Sequence, residues 1–197
     1  MPTTVRHALR DQLDELEGAL VDAFFEDPML AWMYPAPEDR LQGGAAFLRA
    51  MLEIGFPHGH TYVVGAHDEA VAIWSPPDVE LFDDTGVAAL GPIFEAHPNG
   101  DEMATGLLAI SAWHPHDRGP HFYLSVLGTR TAQQGSGLGT LLMREVLDRC
   151  DRQGLGAYLE SSNIRNVPFY ERHGFEVLGE VAVGGDFVAR PMWRDPR

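Results

Sequence analysis

Gln134-Gly135-Ser136-Gly137-Leu138-Gly139-Thr140 is the stretch whose reading decides this chain. It follows an apolar run, His121-Phe122-Tyr123-Leu124-Ser125-Val126-Leu127, and opens onto Leu141-Leu142-Met143-Arg144-Glu145-Val146-Leu147, where the apolar spacing is helical. A strand that passes through a glycine-rich turn into a helix offers an anion site. The first helical N–H groups lack intrahelical partners, and the macrodipole adds partial positive charge there. Glycine lets the backbone approach a ligand and take positive φ. The turn is therefore read as a cradle for a phosphate-bearing molecule, with a plain tight connection as the alternative.

Three cradles compete. A Walker loop needs a lysine after its last glycine, but Gly139 is followed by Thr140 and the chain has no lysine at all. The dinucleotide fingerprint needs G-x-G-x-x-G, whereas Gly135, Gly137 and Gly139 fall at every second position. The third pattern, Q/R-x-x-G-x-G/A, is met by Gln134, Gly137 and Gly139. Downstream come Ala157-Tyr158-Leu159-Glu160-Ser161-Ser162 and then Asn163-Ile164-Arg165-Asn166-Val167-Pro168-Phe169-Tyr170-Glu171-Arg172-His173-Gly174-Phe175-Glu176. The two blocks in this order resemble the GNAT superfamily of N-acetyltransferases, whose glycine loop holds the pyrophosphate of acyl-CoA. Asp22-Ala23-Phe24, Asp27-Pro28, Trp74-Ser75-Pro76-Pro77, Tyr123-Leu124 and Leu159-Glu160-Ser161-Ser162 look like the branch that includes puromycin N-acetyltransferase. That likeness covers nearly the whole chain and is weakest between Asp78 and Gly119.

The resemblance implies one GNAT-like α/β domain over 1–197. It would hold a mixed, mostly antiparallel sheet of about six to seven strands flanked by helices, with a splayed strand pair forming the acyl-CoA slot. It further implies that Gln134, Gly135, Ser136, Gly137, Leu138, Gly139 and Thr140 hold acetyl-CoA as cosubstrate. Backbone groups of Leu127, Gly128 and Thr129 would bond the pantetheine arm like a pseudo-strand. The Leu127 N–H would face the thioester oxygen as a small oxyanion hole. Where the family often has Val-x-Pro, this chain has Thr129-Arg130-Thr131, which could loosen the loop. Tyr170 is the implied general acid, since its hydroxyl lies near the CoA sulfur in the family pattern. An ordinary phenol pKa of about 10 exceeds that of a thiol. The competing reading makes Tyr170 a packed aromatic. Phe169 is its core neighbour in the cofactor-binding block. Asn166 is read as a helix cap or orienting residue and as a pantetheine contact.

Glu160 falls mid-strand, where an unpaired carboxylate would be costly. It is either a base that activates a water to deprotonate an ammonium, or a structural carboxylate bonded to backbone or serine. An amine arriving neutral would need no base.

Composition bounds the rest. A length of 197 residues with 45% hydrophobic content fits one globular domain. No apolar run approaches the ~20 residues of a membrane span. The segment Met1-Pro2-Thr3-Thr4-Val5-Arg6-His7 lacks the apolar core of a signal peptide, so a cytoplasmic location is expected. The net charge of −15 repels nucleic acid and membranes, and favours a cationic acceptor such as an amine. It also repels acyl-CoA, so local compensation is needed, with Arg130 as one candidate. Cys150 is the single cysteine and reads as a free structural thiol at a polar helix end. His58-x-His60 and His114-x-His116 have metal-like spacing but read as solvated loops, so no metal site is assigned. Trp32, Tyr34, Phe56 and Tyr62 are candidates for the floor of the acceptor pocket; Glu26, Asp27 and Glu95 are candidate partners of a cation.

Periodicity places a strand at 4–9, helices at 11–25 and 38–56 with an aromatic turn at 29–35, and a hairpin from 61–66 to 70–74. One or two helices are expected within 79–113, broken around Gly91-Pro92 and Pro98-Asn99-Gly100. A loop at 115–120 leads to strand 121–128, helix 137–152, strand 156–162, helix 166–173 and strands near 175–183 and 186–193. The reading is an acetyl-CoA-dependent N-acetyltransferase that transfers acetyl directly to a small-molecule amine, with an antibiotic or aminonucleoside-like compound in view. Alternatives are acetylation of a protein or peptide, and a non-catalytic acyl-CoA-binding regulatory module. Dimers are common in the superfamily, so the resemblance allows a homodimer.

Overall fold

A computed structural model describes residues 4–197; Met1, Pro2 and Thr3, part of the stretch read for a leader, lie outside the described residues. The elements are β1 (Arg6–His7), α1 (Leu13–Phe24), α2 (Pro28–Met33), α3 (Pro37–Asp39), α4 (Ala45–Gly55), β2 (Thr61–Val64), β3 (Ala70–Ser75), α5 (Asp84–Glu95) and α6 (Gly100–Ser111). They continue with β4 (His121–Thr129), α7 (Leu138–Gln153), β5 (Gly156–Ser161), α8 (Val167–Arg172), β6 (Glu176–Val177), β7 (Val181–Gly184) and β8 (Phe187–Arg194). The strands form a single eight-stranded sheet in the order β1-β2-β3-β4-β5-β8-β6, with β7 pairing β8 off that path. Only β4 and β5 run parallel; the other pairings are antiparallel.

Two apolar layers cover the sheet. On one face α1 and α4 bury Leu16, Leu20, Leu48 and Leu52 against Val63, Val71, Ile73 and Val126. On the other, α7 buries Leu142, Met143, Val146 and Cys150 against Ala72, Trp74, Leu124 and Leu159. A smaller cluster packs Ile110 of α6 on Val181, Phe187 and Ala189.

The periodic reading misses some local chemistry. Pro92 sits inside α5 without ending it. It falls in the last turn, so its missing N–H removes one bond at the helix end and few residues follow it; the expected second break at Pro98-Asn99-Gly100 is real. The expected aromatic turn contains the short helix α2, because Asp27 accepts from the Met29 N–H at 2.9 Å and Pro28 occupies the first turn. The long helix expected over 38–56 is interrupted by a π-turn at Arg40–Gly44.

The decisive irregularity is in β4. Its register to β3 runs Ile73↔Val126 and then Trp74↔Leu124, so Ser125 is a bulged residue. A bulge flips the alternation of faces. Leu124 accordingly packs in the α7 layer while Val126, two residues on, packs in the α1–α4 layer. At the same place β4 leaves β5, since their pairing ends at Leu124↔Leu159. The rest of β4 stays bonded to β3 as far as Ala70↔Thr129. The strands thus part into an open V.

Candidate active site

The side of β4 that faces the V follows from the pleat. Arg130 N–H donates to Glu69 O across the β3 side at 2.8 Å. Polar backbone groups alternate along a strand, so those of Gly128 also face β3, while those of Leu127 and Thr129 face the opening. The Thr129 carbonyl accepts from Gln134 Nε2 at 3.2 Å. Leu127 therefore presents its backbone to the slot, and Gly128 does not. Gly128 answers a different need, because an added Cβ would come within 2.8 Å of Leu20 and 3.0 Å of Phe24 on α1.

The glycine turn uses its residues unequally. Gly135 and Gly137 hold φ of +78° and +90° with open space where a Cβ would be, so backbone conformation alone demands glycine. Gly139 has no such φ, and a Cβ there would make an ordinary 3.5 Å contact with Phe169. The N–H groups of Gln134 and Ser136 are bonded within the turn, to Thr131 O and Gln133 O, and Ser136 Oγ also donates to Gln133 O at 2.6 Å. These two shape the loop. Leu138, Gly139 and Thr140 open α7 and have first-turn N–H groups directed at an incoming anion. Arg130 does not reach this end. Its guanidinium donates to the Gly18 and Glu15 carbonyls of α1, both at 3.3 Å, which ties the loop to that helix.

A cavity of about 700 Å³ starts at the V and runs under α4, α5 and α6; Leu127, Glu160, Asn166 and Tyr170 all line it. Glu160 lies deep within the molecule. Burial pushes its carboxyl from 4.5 up to about 7, partly offset by the phenols of Tyr123 and Tyr158. The serines beside it turn elsewhere, Ser161 to Asn163 O and Ser162 to Asp27 Oδ2. Tyr158 has a buried hydroxyl with no partner within hydrogen-bond distance, as does Ser125 at the bulge. Its pull on Glu160 therefore acts from beyond normal bond length. Ser125, Tyr123 and Glu160 form a polar centre in the cavity wall, backed by Tyr158, whose ring lies 5.8 Å from that of Tyr123.

Tyr170 is 8% exposed, and burial first, then the Asp27 carboxylate, holds its phenol well above 10. It stays protonated at every working pH. Asn166 makes no capping bond. Asn163 does the capping, accepting from the Arg165 N–H at 3.0 Å, so the expected cap role shifts by three residues. Phe169 is half-buried between His173, with ring centroids 4.5 Å apart, and the α7 layer.

Other candidates fall elsewhere. Trp32 packs on Phe187, Tyr34 is core beside His97, and Tyr62 lies in the α7 layer against His7. None of these, nor Phe56, lines the cavity, whose walls include Phe24, Phe47, Phe82, Phe94 and Phe187 besides Tyr123 and Tyr170. Glu26 and Glu95 are exposed and away from it, and Asp27 is buried as the α2 cap. Cys150 is fully buried rather than at a polar surface, and burial pushes its thiol up to about 11.

His114 departs from the solvated-loop reading. It is half-buried, lines the cavity, and stands edge-on to the rings of Tyr123 and Tyr158. Its Nε2 lies 3.0 Å from His121 Nε2, and His121 Nδ1 lies 2.7 Å from Gly119 O. A carbonyl can only accept, so His121 carries its proton on Nδ1 and His114 must donate from Nε2. Burial, with His121 and His116 nearby, lowers the His114 pKa to about 4. No group of three or more metal-ligating side chains stands together among the described residues. Tyr158 and Ser125 carry no chemical motif in the sequence; Tyr123 enters it only through the family-branch likeness, and His114 only through metal-like spacing. The only hint was three polar side chains in two runs of otherwise apolar strand.

Comparison with known proteins agrees with this geometry. The model of the acetyltransferase (GNAT) family matches residues 21–175. An L-methionine sulfoximine/L-methionine sulfone acetyltransferase of Pseudomonas aeruginosa is 28% identical over 145 residues, covering 68% of this chain and 83% of that protein. An uncharacterised N-acetyltransferase of Schizosaccharomyces pombe is 28% identical over 80% of this chain and 68% of its own length. Among solved structures, a histone acetyltransferase HPA2-related acetyltransferase of Corynebacterium glutamicum superposes with a TM-score of 0.67 at 26% identity, covering 100% of this chain and 98% of that one. The polyamine N-acetyltransferase of Drosophila melanogaster gives 0.70 at 16% identity over 98% of this chain and 99% of its own, a likeness of fold. With the parted β4–β5 pair, the glycine turn into α7 and a family match over most of its length, the chain belongs to the GNAT family of acetyltransferases.

Proposed function

We propose that the protein transfers the acetyl group of acetyl-CoA directly to the amine of a small molecule. The observation that carries this is that one cavity reaches Leu127 at the parted strands, Tyr170 on one wall and Glu160 at its depth. The first-turn N–H groups of α7 hold the pyrophosphate, and the Leu127 backbone bonds the pantetheine arm. The Leu127 N–H meets the negative charge that develops on the thioester oxygen. Glu160, with a pKa of about 7, takes a proton from the acceptor's ammonium, directly or through one water, near neutral pH, and the free amine then attacks the thioester carbonyl. Tyr170 donates a hydrogen bond to the sulfur as the bond to acetyl breaks. Its phenol is held too far above 10 to release its proton outright to a thiolate, whose conjugate acid lies near 8.5.

The likeness to the puromycin N-acetyltransferase branch brings aminonucleoside-like amines into the substrate panel. The methionine sulfoximine relative brings amino acids. The test is release of CoA from acetyl-CoA over such a panel, with mass detection of the acetylated amine. Turnover of a small amine supports the reading. Turnover of peptides alone, or acetyl-CoA binding with no turnover by any amine, overturns it.

A further inference from the structure

The cavity is larger than the slot needs, and its far end has a definite chemistry. Beyond Glu160 it opens into a chamber walled by Phe47, Leu48 and Met51 of α4, Val87 and Leu90 of α5, and Phe94. Among the described residues no arginine lines it, although the chain has 14, and there is no lysine to supply a cation. Three histidines line it: His114 and His121 are half-buried, and burial lowers the pKa of each, while His116 is exposed. The carboxylates that do line the cavity are Glu160 on its wall, with Asp78 and Glu80 both exposed. A ligand carboxylate in the apolar chamber would lose its water, find no guanidinium or ammonium, and face Glu160. Burying an unpaired carboxylate in apolar surroundings is among the costliest transfers in a protein.

Resting on the reading of this cavity as the acceptor site, we propose that the acceptor is a primary amine on an apolar body without a carboxylate. Its amine lies at Glu160 and its body fills the chamber under α4, α5 and α6. Free α-amino acids are excluded, in contrast to the Pseudomonas aeruginosa relative, which is named for acting on one. Long dications are also poor acceptors, because their second charge would lie against apolar walls or reach only the solvated edge.

The test measures CoA release with L-phenylalaninamide, L-phenylalanine, 2-phenylethylamine and agmatine. The first two share one skeleton and differ in charge. The amide and 2-phenylethylamine are expected to exceed L-phenylalanine in kcat/KM by about 100-fold or more, the scale set by an unpaired buried charge. Agmatine should trail 2-phenylethylamine by about tenfold or more, the scale of ~1.4 kcal/mol. In Leu108→Arg, a guanidinium enters the chamber edge from a side chain that is 66% exposed, so the fold tolerates it. That variant should narrow the gap between amide and acid at least tenfold. Equal use of L-phenylalanine and its amide, or preference for agmatine, overturns the proposal. If no amine releases CoA, acetyl transfer itself is overturned, and the rise in Tm on adding each compound still decides the chamber's preference. A larger rise with the amide supports the proposal; equal rises overturn it.

Discussion

Replacing Glu160 by glutamine should stabilise the protein and cripple it at once, with a pH signature that separates the two effects. Burial raises the carboxyl from 4.5 to about 7 in the fold. A folded pKa above the unfolded one means that stability is full at low pH and is lost as pH rises from about 4.5 through 7. The loss amounts to below ~1 kcal/mol at pH 5 and about 3 kcal/mol at pH 8. Glutamine matches the glutamate side chain in size but does not ionise. Glu160→Gln should therefore gain on the wild type as pH rises, reaching roughly 6–12 °C in Tm at pH 8 for a domain of this size. Urea unfolding at pH 5, 6, 7 and 8 measures the gap directly. In parallel, kcat/KM of the wild type should rise through pH 7, while the variant loses that limb and about 100-fold in rate. A stability gap that stays constant from pH 5 to 8 would refute the argument, since any effect of glutamine unrelated to ionisation is independent of pH.

Three further outcomes follow from the site. Tyr170→Phe should lower kcat by about 100-fold with KM for acetyl-CoA within about threefold, because the hydroxyl is needed at bond cleavage rather than in binding; steady-state kinetics check this. Gly137→Ala should cost about 1–2 kcal/mol and weaken acetyl-CoA binding, whereas Gly139→Ala should leave both nearly unchanged, since only the former has positive φ. Calorimetry and thermal melts of the pair decide it. Asp27→Ala removes both the α2 cap and the acceptor of Ser162 Oγ, so about 2 kcal/mol should be lost, with an equal change in each denaturation probe.

Much of the donor side was legible because its residues are consecutive. A turn that needs positive φ at Gly135 and Gly137 must show glycines, and an element that buries Leu142, Met143, Val146 and Leu147 must show helical spacing. The acceptor side was not legible, because its walls are assembled across the chain. Phe47 and Phe94 meet in one cavity, as do His114 and Glu160, though nothing local joins them. Apolar residues look alike in sequence whether they fill a core or line a chamber. Trp32 and Tyr34 look like pocket aromatics in sequence for that reason, yet they belong to the core. Asn166 was read as a cap from its place before α8; Asn163 has the extended backbone that lets a side chain reach back to an N–H. Arg130 was given to the cradle by proximity in sequence, and only the fold reveals that it turns toward α1.

The two helices between β3 and β4 give the protein a modular division. α5 and α6 form no part of the sheet and no part of the glycine turn, yet they supply walls of the chamber. A stretch of roughly forty residues can thus be exchanged while the machinery for acetyl-CoA stays whole. The graft must keep two seams, one where Leu81, Leu90 and Met103 join the core of α1 and α4, the other where Leu107 and Ile110 meet β7 and β8. A large part of the chamber wall in this scaffold then sits on one insert, and directed evolution confined to 79–113 can reshape that part without touching the glycine turn or the parted strands.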